Sequence, residues 1–315
     1  MMYHPSHRVP SLDDAEGFFE RVFGRPSHRL SSLSRPSSGS ASEQRALPDY
    51  STFTPIADVL FDCIDPERYR PGGRACYDPV DQPRLAGFGW YVEGIASLYR
   101  LLQARGIGVV DQFGEPVDGV HPPTAAGSEM PLFFTAPDDA GLRYEFVPRF
   151  PFPLDPRLSN DWQPPSADEI PAADDPFGIV RCAHHTILTH RPERALRLVV
   201  DVLRGSVVHR GVDAATGADS VSVHLAGSIL RYVTPSPGTE AWLALEDEPH
   251  DRYHSITWQV ADLERAEAHL RAEGVGVTVV DDAERGAPVL VADPDTALGV
   301  PWGFVNVAVP GDPRV

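Results

Sequence analysis

Residues 1–24 read MMYHPSHRVPSLDDAEGFFERVFG, and residues 184–205 read HHTILTHRPERALRLVVDVLRG. In each, a short strand carrying a histidine, His4 or His184, passes through a proline-containing turn into an amphipathic helix that stops at a glycine. In the first copy Ser11 is placed to cap the helix. Asp13 and Asp14 fall in its first turn, where the helix dipole favours acids, and Gly24 closes it. Leu12, Ala15, Phe18, Phe19, Val22 and Phe23 form one apolar stripe. In the second copy Pro192 sits in the first turn, Ala195, Leu198, Val199, Val202 and Leu203 form the stripe, and Gly205 ends it. One pattern recurring on an internal period indicates a duplication.

Working outward, a strand is expected over residues 56–64, ended by Asp65-Pro66. Residues 85–92 alternate, with Phe88, Trp90 and Val92 on one face and Gly87, Gly89 and Tyr91 on the other. A helix over 95–104 stops at Gly106, a strand follows at 107–110, and PLFFT (131–135) pairs with LRYEFV (142–147) in a hairpin. The second half repeats this order. LLQARGIGVV (101–110) aligns with HLRAEGVGVTVV (269–280), and FTAPDDAGLRYEFV (134–147) with VADPDTALGVPWGFV (291–305). The expected fold is α+β: four βαβββ modules pairing into two domains, each with a curved mixed sheet around a cleft. The Ser-rich residues 31–50 read as a mobile surface loop. The boundaries are a first domain at 1–148, a Pro-rich semi-rigid linker at 149–177 and a second domain at 178–315.

Composition narrows the chemistry. At 315 residues the chain exceeds the roughly 100–200 residues of one domain. A formal charge of −18 with no run of basic residues disfavours nucleic acids and anionic membranes as partners. No long apolar run follows the N-terminal methionine, so a cytoplasmic location is the expectation. Cys63, Cys76 and Cys182 are too far apart for a zinc knot or disulfide framework. All basic residues besides histidine are arginine, which excludes Schiff-base chemistry and a Walker phosphate loop, since both need lysine. Histidine, carboxylate, tyrosine or a bound metal must carry any reaction.

The stretches 9–24, 191–205 and 260–275 (VADLERAEAHLRAEGV), with the Asp-Pro-Asp turn at 293–295, resemble the vicinal oxygen chelate superfamily. That group contains glyoxalase I, bleomycin-resistance proteins, methylmalonyl-CoA epimerase and extradiol dioxygenases. The resemblance implies two glyoxalase-like domains and a divalent ion held by inward-facing residues on the first and last strands of each module. Carried onto this chain, the first-domain positions are His4, Asp62, Gly87 and Glu145, of which His4, Asp62 and Glu145 can bind metal. The second domain offers His184, Arg231, Ser255 and Gly303, a set without carboxylates, implying degenerate metal positions and a structural, covering or dimerising role.

One imidazole and two carboxylates suit Fe, Mn, Ni, Co, Zn or Mg without choosing among them. Such an ion would chelate two oxygens of a small substrate, with Glu145 free to move a proton and Tyr91 and Arg143 sharing the cleft to orient the ligand. The structural alternatives are a solvated terminal histidine at His4, a strand-end acid at Asp62 and ordinary cleft lining at Tyr91 and Arg143. His7 is expected in the helix layer. Two functions follow: a metal-dependent lyase, isomerase or ring-cleaving oxygenase acting on a small oxygenated molecule, with a homodimer left open, or a metal-free small-molecule-binding protein of the drug-sequestering kind.

Overall fold

The computed structural model describes residues 1–33, 49–164 and 175–315. The first module comprises β1 (Met2–Arg8), α1 (Leu12–Phe23), β2 (His28–Arg29), β3 (Ser51–Ile56) and β4 (Val59–Ile64). The second comprises β5 (Arg84–Val92), α2 (Ile95–Ala104), β6 (Val109–Val110), β7 (Phe133–Thr135), the short α3 (Pro137–Ala140) and β8 (Tyr144–Pro148). In the other half, β9 (Ile179–Leu188), α4 (Pro192–Leu196), β10 (Ser206–Asp213), β11 (Ala218–Leu225) and β12 (Ser228–Thr234) make the third module. After α5 (Glu240–Glu246), the fourth runs through β13 (Arg252–Val260), α6 (Leu263–Ala272), β14 (Val277–Asp282), β15 (Ala287–Ala292) and β16 (Gly303–Val305).

Each half forms one eight-stranded mixed sheet. The orders are β2-β3-β4-β1-β5-β8-β7-β6 and β10-β11-β12-β9-β13-β16-β15-β14, the same connectivity written twice. The α+β fold of four βαβββ modules is therefore the one the repeat implies. Among the described residues no helix is long and apolar enough to cross a membrane.

Local chemistry explains where elements stop. Ser11 accepts a hydrogen bond from the Asp14 amide, and Gly24 ends α1 at a left-handed φ of 63°. The strand expected over 56–64 is β4 beginning at Val59, while Ile56 ends a preceding strand, β3, joined to it by a tight turn at Ala57 (φ 48°). Ala57 gives no glycine or asparagine signal, which is why the run reads as continuous. In the second half the left-handed residue is Arg204 (φ 64°), one before the expected Gly205. Gly205 serves another purpose: a β-carbon there would lie 2.7 Å from the Val199 carbonyl oxygen. Residues Arg197–Val202 wind as a π-helix, so the second copy of this helix is wider than the first.

The helix-bearing faces of the two sheets share one apolar core. Phe23 of α1 packs on Trp302 (centroids 5.2 Å apart) and Phe177 (5.3 Å), and Phe88 of β5 packs on Tyr253 of β13 at 4.3 Å. The Tyr144 and Tyr232 hydroxyls meet at 2.9 Å in the same buried layer. His7 lies here too, fully buried against Phe61 and 3.8 Å from the Cys63 sulfur, in the helix layer as expected. All three cysteines are buried and free.

The opposite face of the first sheet carries a second apolar cluster built on Tyr3, Phe53, Tyr91 and Phe134. Residues 150–158, read from composition as linker, pack onto it. Phe152 lies 4.9 Å from Phe53 and 5.7 Å from Tyr3. Arg157, buried and paired with Asp155 at 2.8 Å, donates to the backbone oxygens of Tyr3 (2.5 Å) and Asp58 (2.9 Å). The Pro-rich composition hid this because it lacks period, while its aromatics sit at irregular spacing. The surface-loop reading of 31–50 falls largely on residues 34–48, outside the described residues, as do 165–174 of the linker.

Candidate active site

Strand register brings together residues far apart in sequence. In β1, Ser6 pairs with Asp62 of β4 on one side. On the other side His4 pairs with Gly89 of β5, which in turn pairs with Glu145 of β8. His4, Asp62 and Glu145 therefore lie in one band across the four central strands. The third position of that band is Gly89, not the Gly87 counted back from Val92, because irregularities in the β1–β5 pairing shift the register. Gly89 is required by close approach: a β-carbon there would stand 2.9 Å from His4 Nε2, so the glycine lets the imidazole lie across the strand.

The two acids meet different edges of the ring. Glu145 Oε2 is 3.5 Å from His4 Nε2, and Asp62 Oδ2 is 3.8 Å from His4 Nδ1. The Ser6 hydroxyl also sits at Nδ1, 3.0 Å away, and Ser51 donates a short hydrogen bond to Asp62. Side-chain exposure is 5% for His4, 6% for Asp62 and 15% for Glu145. One ion bonds only one nitrogen of an imidazole, so an ion taken up here could meet His4 Nε2 with Glu145, or Nδ1 with Asp62, but not both. Ser6 shares the Nδ1 edge with Asp62. Among the described residues no group of three His, Cys, Asp or Glu side chains is already spaced to hold a metal ion.

Electrostatics favour a cation here. Burial pushes the Asp62 carboxyl up to about 8, only partly opposed by the Ser51 hydrogen bond, with nearby Glu145 adding to the rise. Burial also pushes Glu145 up to about 7, with Arg143 pulling weakly the other way, and His4 down to about 3, so the imidazole is neutral. A neutral imidazole nitrogen and the desolvated Glu145 carboxyl beside it are donors whose cost of burial a divalent ion would offset. In chemistry the residues present fit such an ion.

A pH prediction follows. Both carboxyls hold their proton more tightly folded than unfolded, so their contribution to stability is whole below the ordinary values of 3.8 and 4.5. It is lost as pH climbs through about 7 and about 8. His4, His7 and His185, lowered to about 3 by burial, act in the other window and lose stability as pH falls below 6.5. Urea unfolding of chelator-treated protein should show stability declining between pH 6.5 and 8.5, with a shallower decline in Glu145→Gln. Parallel slopes for the two proteins would contradict the assignment.

The remaining expected residues are placed as follows. Tyr91 lies in the same cleft, 4.5 Å from Tyr3, with its hydroxyl 3.5 Å from Asp155. Tyr3, whose ring centroid is 4.3 Å from that of His4, separates it from the band. Arg143 is tied down, donating to the Asp111 carbonyl at 2.8 Å and lying over the Phe134 ring at 4.1 Å. Tyr3, Ser6 and Ser51 were missed. Ser6 was legible as the residue two beyond His4, whereas Ser51 closes a Ser-rich stretch where no single serine stands out.

In the second half the corresponding band is His184, Arg231, Thr257 and Gly303: Arg231 pairs with Thr186, and Thr257 with both His184 and Gly303. Ser255, expected at the third position, pairs with Thr186 and so matches Gly87. The absence of carboxylates from this band holds in either register. Gly303 leaves no room for an acid, since its β-carbon would meet Thr257 Oγ1 at 2.5 Å.

No protein-family model matches the chain, and no curated protein matches its sequence. Solved structures do match its fold. A substituted 4-hydroxymandelate synthase from Streptomyces coelicolor aligns over 98% of this chain and 93% of its own, at 12% identity and a TM-score of 0.60. A 2,3-dioxygenase from a Pseudomonas species covers 100% and 94% at 13% identity, TM-score 0.58. The Mn(II)-bound glyoxalase from Novosphingobium aromaticivorans covers 100% and 85% at 12% identity, TM-score 0.56. The chain shares the fold of these proteins, two eight-stranded mixed sheets each built from two βαβββ modules.

Proposed function

We propose that the protein is a divalent-metal-dependent enzyme that moves a proton on a small oxygenated organic molecule bound in the cleft of the first sheet. The observation that carries this reading is the band itself: a neutral imidazole with a buried carboxyl at each edge, drawn from β1, β4 and β8. His4 and Glu145 would hold the ion, with Asp62 and Ser6 fixing the ring from Nδ1, the usual arrangement around a metal-bound histidine. When bound, such an ion supplies Lewis-acid stabilisation of negative charge on a substrate oxygen.

The chain's own groups supply the rest. Burial holds Glu145 at about 7 before an ion enters, so the carboxyl is a candidate to move the substrate's proton when it is released from the ion. Tyr3, Phe53 and Tyr91 offer an aromatic wall for the body of the substrate and keep water from the band. One histidine in the band, where ring-cleaving iron sites of the facial-triad kind use two, favours isomerase or lyase chemistry over oxygen activation. The metal-free binding protein is the second reading, favoured by that same aromatic wall. Elemental analysis and thermal unfolding with added Mn, Ni, Co or Zn separate them. The enzyme reading expects about one ion per chain and a raised Tm, while no bound ion and no shift would leave the binding protein standing.

A further inference from the structure

The second sheet encloses a cavity of about 660 Å³ that the proposed function does not use. His184, the counterpart of His4, is on its wall, but the charges around it are reversed. Arg231 occupies the position that Asp62 holds in the first sheet, and Arg285, from the turn between β14 and β15, reaches the same imidazole with Nη2 3.4 Å from His184 Nδ1. Both guanidiniums are buried, with side-chain exposures of 3% and 2%.

We propose that this cavity is a binding site for a small organic carboxylate, received by Arg231 and Arg285 beside His184. Each arginine is held in place by one acid: Arg231 by Asp213 at 3.1 Å, with Ser222 at 3.2 Å, and Arg285 by Asp282 at 2.5 Å. Hydrogen-bonding capacity remains. Arg285 Nε is buried without a partner, and among the described residues no protein acceptor takes Arg231 Nη2. Two fixed guanidiniums in a desolvated pocket present planar, paired donors, the geometry a carboxylate accepts.

The charge count selects the anion. The two arginines and their two acids sum to no net charge, so the pocket offers unused donors rather than surplus positive charge, which suits a monoanionic carboxylate better than a phosphate dianion. Size and polarity select its body. The volume lies within the range of small-molecule sites, and Val277, Val289, Val291, Ala241 and Pro301 give the walls apolar character. Gly303 and the Thr257 side chain beside it stand where the first sheet has Glu145, so that position adds no acid to the floor.

The test is calorimetric titration of the full, EDTA-treated chain with butanoate, benzoate and 3-phenylpropanoate, each against its neutral amide, and with inorganic phosphate. Chelator treatment keeps any ion at His4 from taking the carboxylate, so this result is independent of the metal reading. At least one acid should bind with its amide ten-fold weaker or more. The paired variants Arg231→Gln/Asp213→Asn and Arg285→Gln/Asp282→Asn, which leave no unpaired buried charge, should each weaken that acid at least ten-fold while keeping the wild-type circular dichroism. No acid binding, equal affinity for acid and amide, tighter binding of phosphate, or unchanged affinity in both folded variants would overturn the proposal.

Discussion

In a His4→Ala variant, divalent ions no longer raise the melting temperature, and the stoichiometric ion is gone. His4 supplies the one neutral nitrogen that faces Glu145, and no other histidine stands in the band. At an ion concentration a hundred times the dissociation constant, wild-type protein should gain about 2.7 kcal/mol from binding, and the variant nothing. Glu145→Gln should behave like His4→Ala. Asp62→Asn should lose about 10–100-fold in affinity, because Asp62 acts on the Nδ1 edge. Ion affinity in the wild type should also climb from pH 6 to 8, since Glu145 must give up a proton that it holds to about 7. Isothermal titration across this series provides the measurement. If Asp62→Asn proved as damaging as His4→Ala while Glu145→Gln bound normally, the assignment of the two edges would be reversed.

Trp302→Ala should cost about 3–5 kcal/mol of folding stability, a large share of the roughly 5–15 kcal/mol that a folded protein has. Trp302, from the second half, is 1% exposed and touches three rings of the first: Phe61 at 5.4 Å, and Phe19 and Phe23 of α1 at 6.1 and 5.2 Å. Its indole donates to the Ala297 carbonyl at 2.9 Å, a second interaction lost on truncation. Since the ring joins α1 to the second sheet, the loss should appear as a lower midpoint for both halves in urea, followed by tryptophan fluorescence and far-ultraviolet dichroism. A shift equivalent to less than about 1 kcal/mol would mean that the seam can collapse into the vacancy.

Much of this was open to reading in the sequence because duplication doubles every local signal. The Ser11 cap, the α1 stripe and the Gly24 stop are each local; the stripe and the stop recur after His184, with Pro192 starting the helix in place of a cap, so four modules and two sheets followed. His4, Asp62 and Glu145 were legible because strand parity and distance from a turn put them on one face. Register was the weak link. Counting back from Val92 chose Gly87 over Gly89, and the same count chose Ser255 over Thr257, because irregular pairing between the central strands leaves no mark in composition. The edge of the imidazole that each acid meets depends on side-chain torsions that no periodicity encodes. The second half reads as lacking a metal site because its band carries no carboxylate. Arg231 stood in plain view, but Arg285 joins it only through the fold.

The docking of residues 150–158 on the first sheet makes the stretch between the two halves a wall of the first cleft as well as a tether. Phe150 and Phe152 face Tyr3 and Tyr91 from outside the sheet, while Arg157 anchors the segment to backbone alone. The choice of which guest is admitted can thus drift by exchange of a nine-residue cassette, without disturbing a single strand. Nature, or an engineer, could reshape that wall while the His4, Asp62 and Glu145 band stayed untouched.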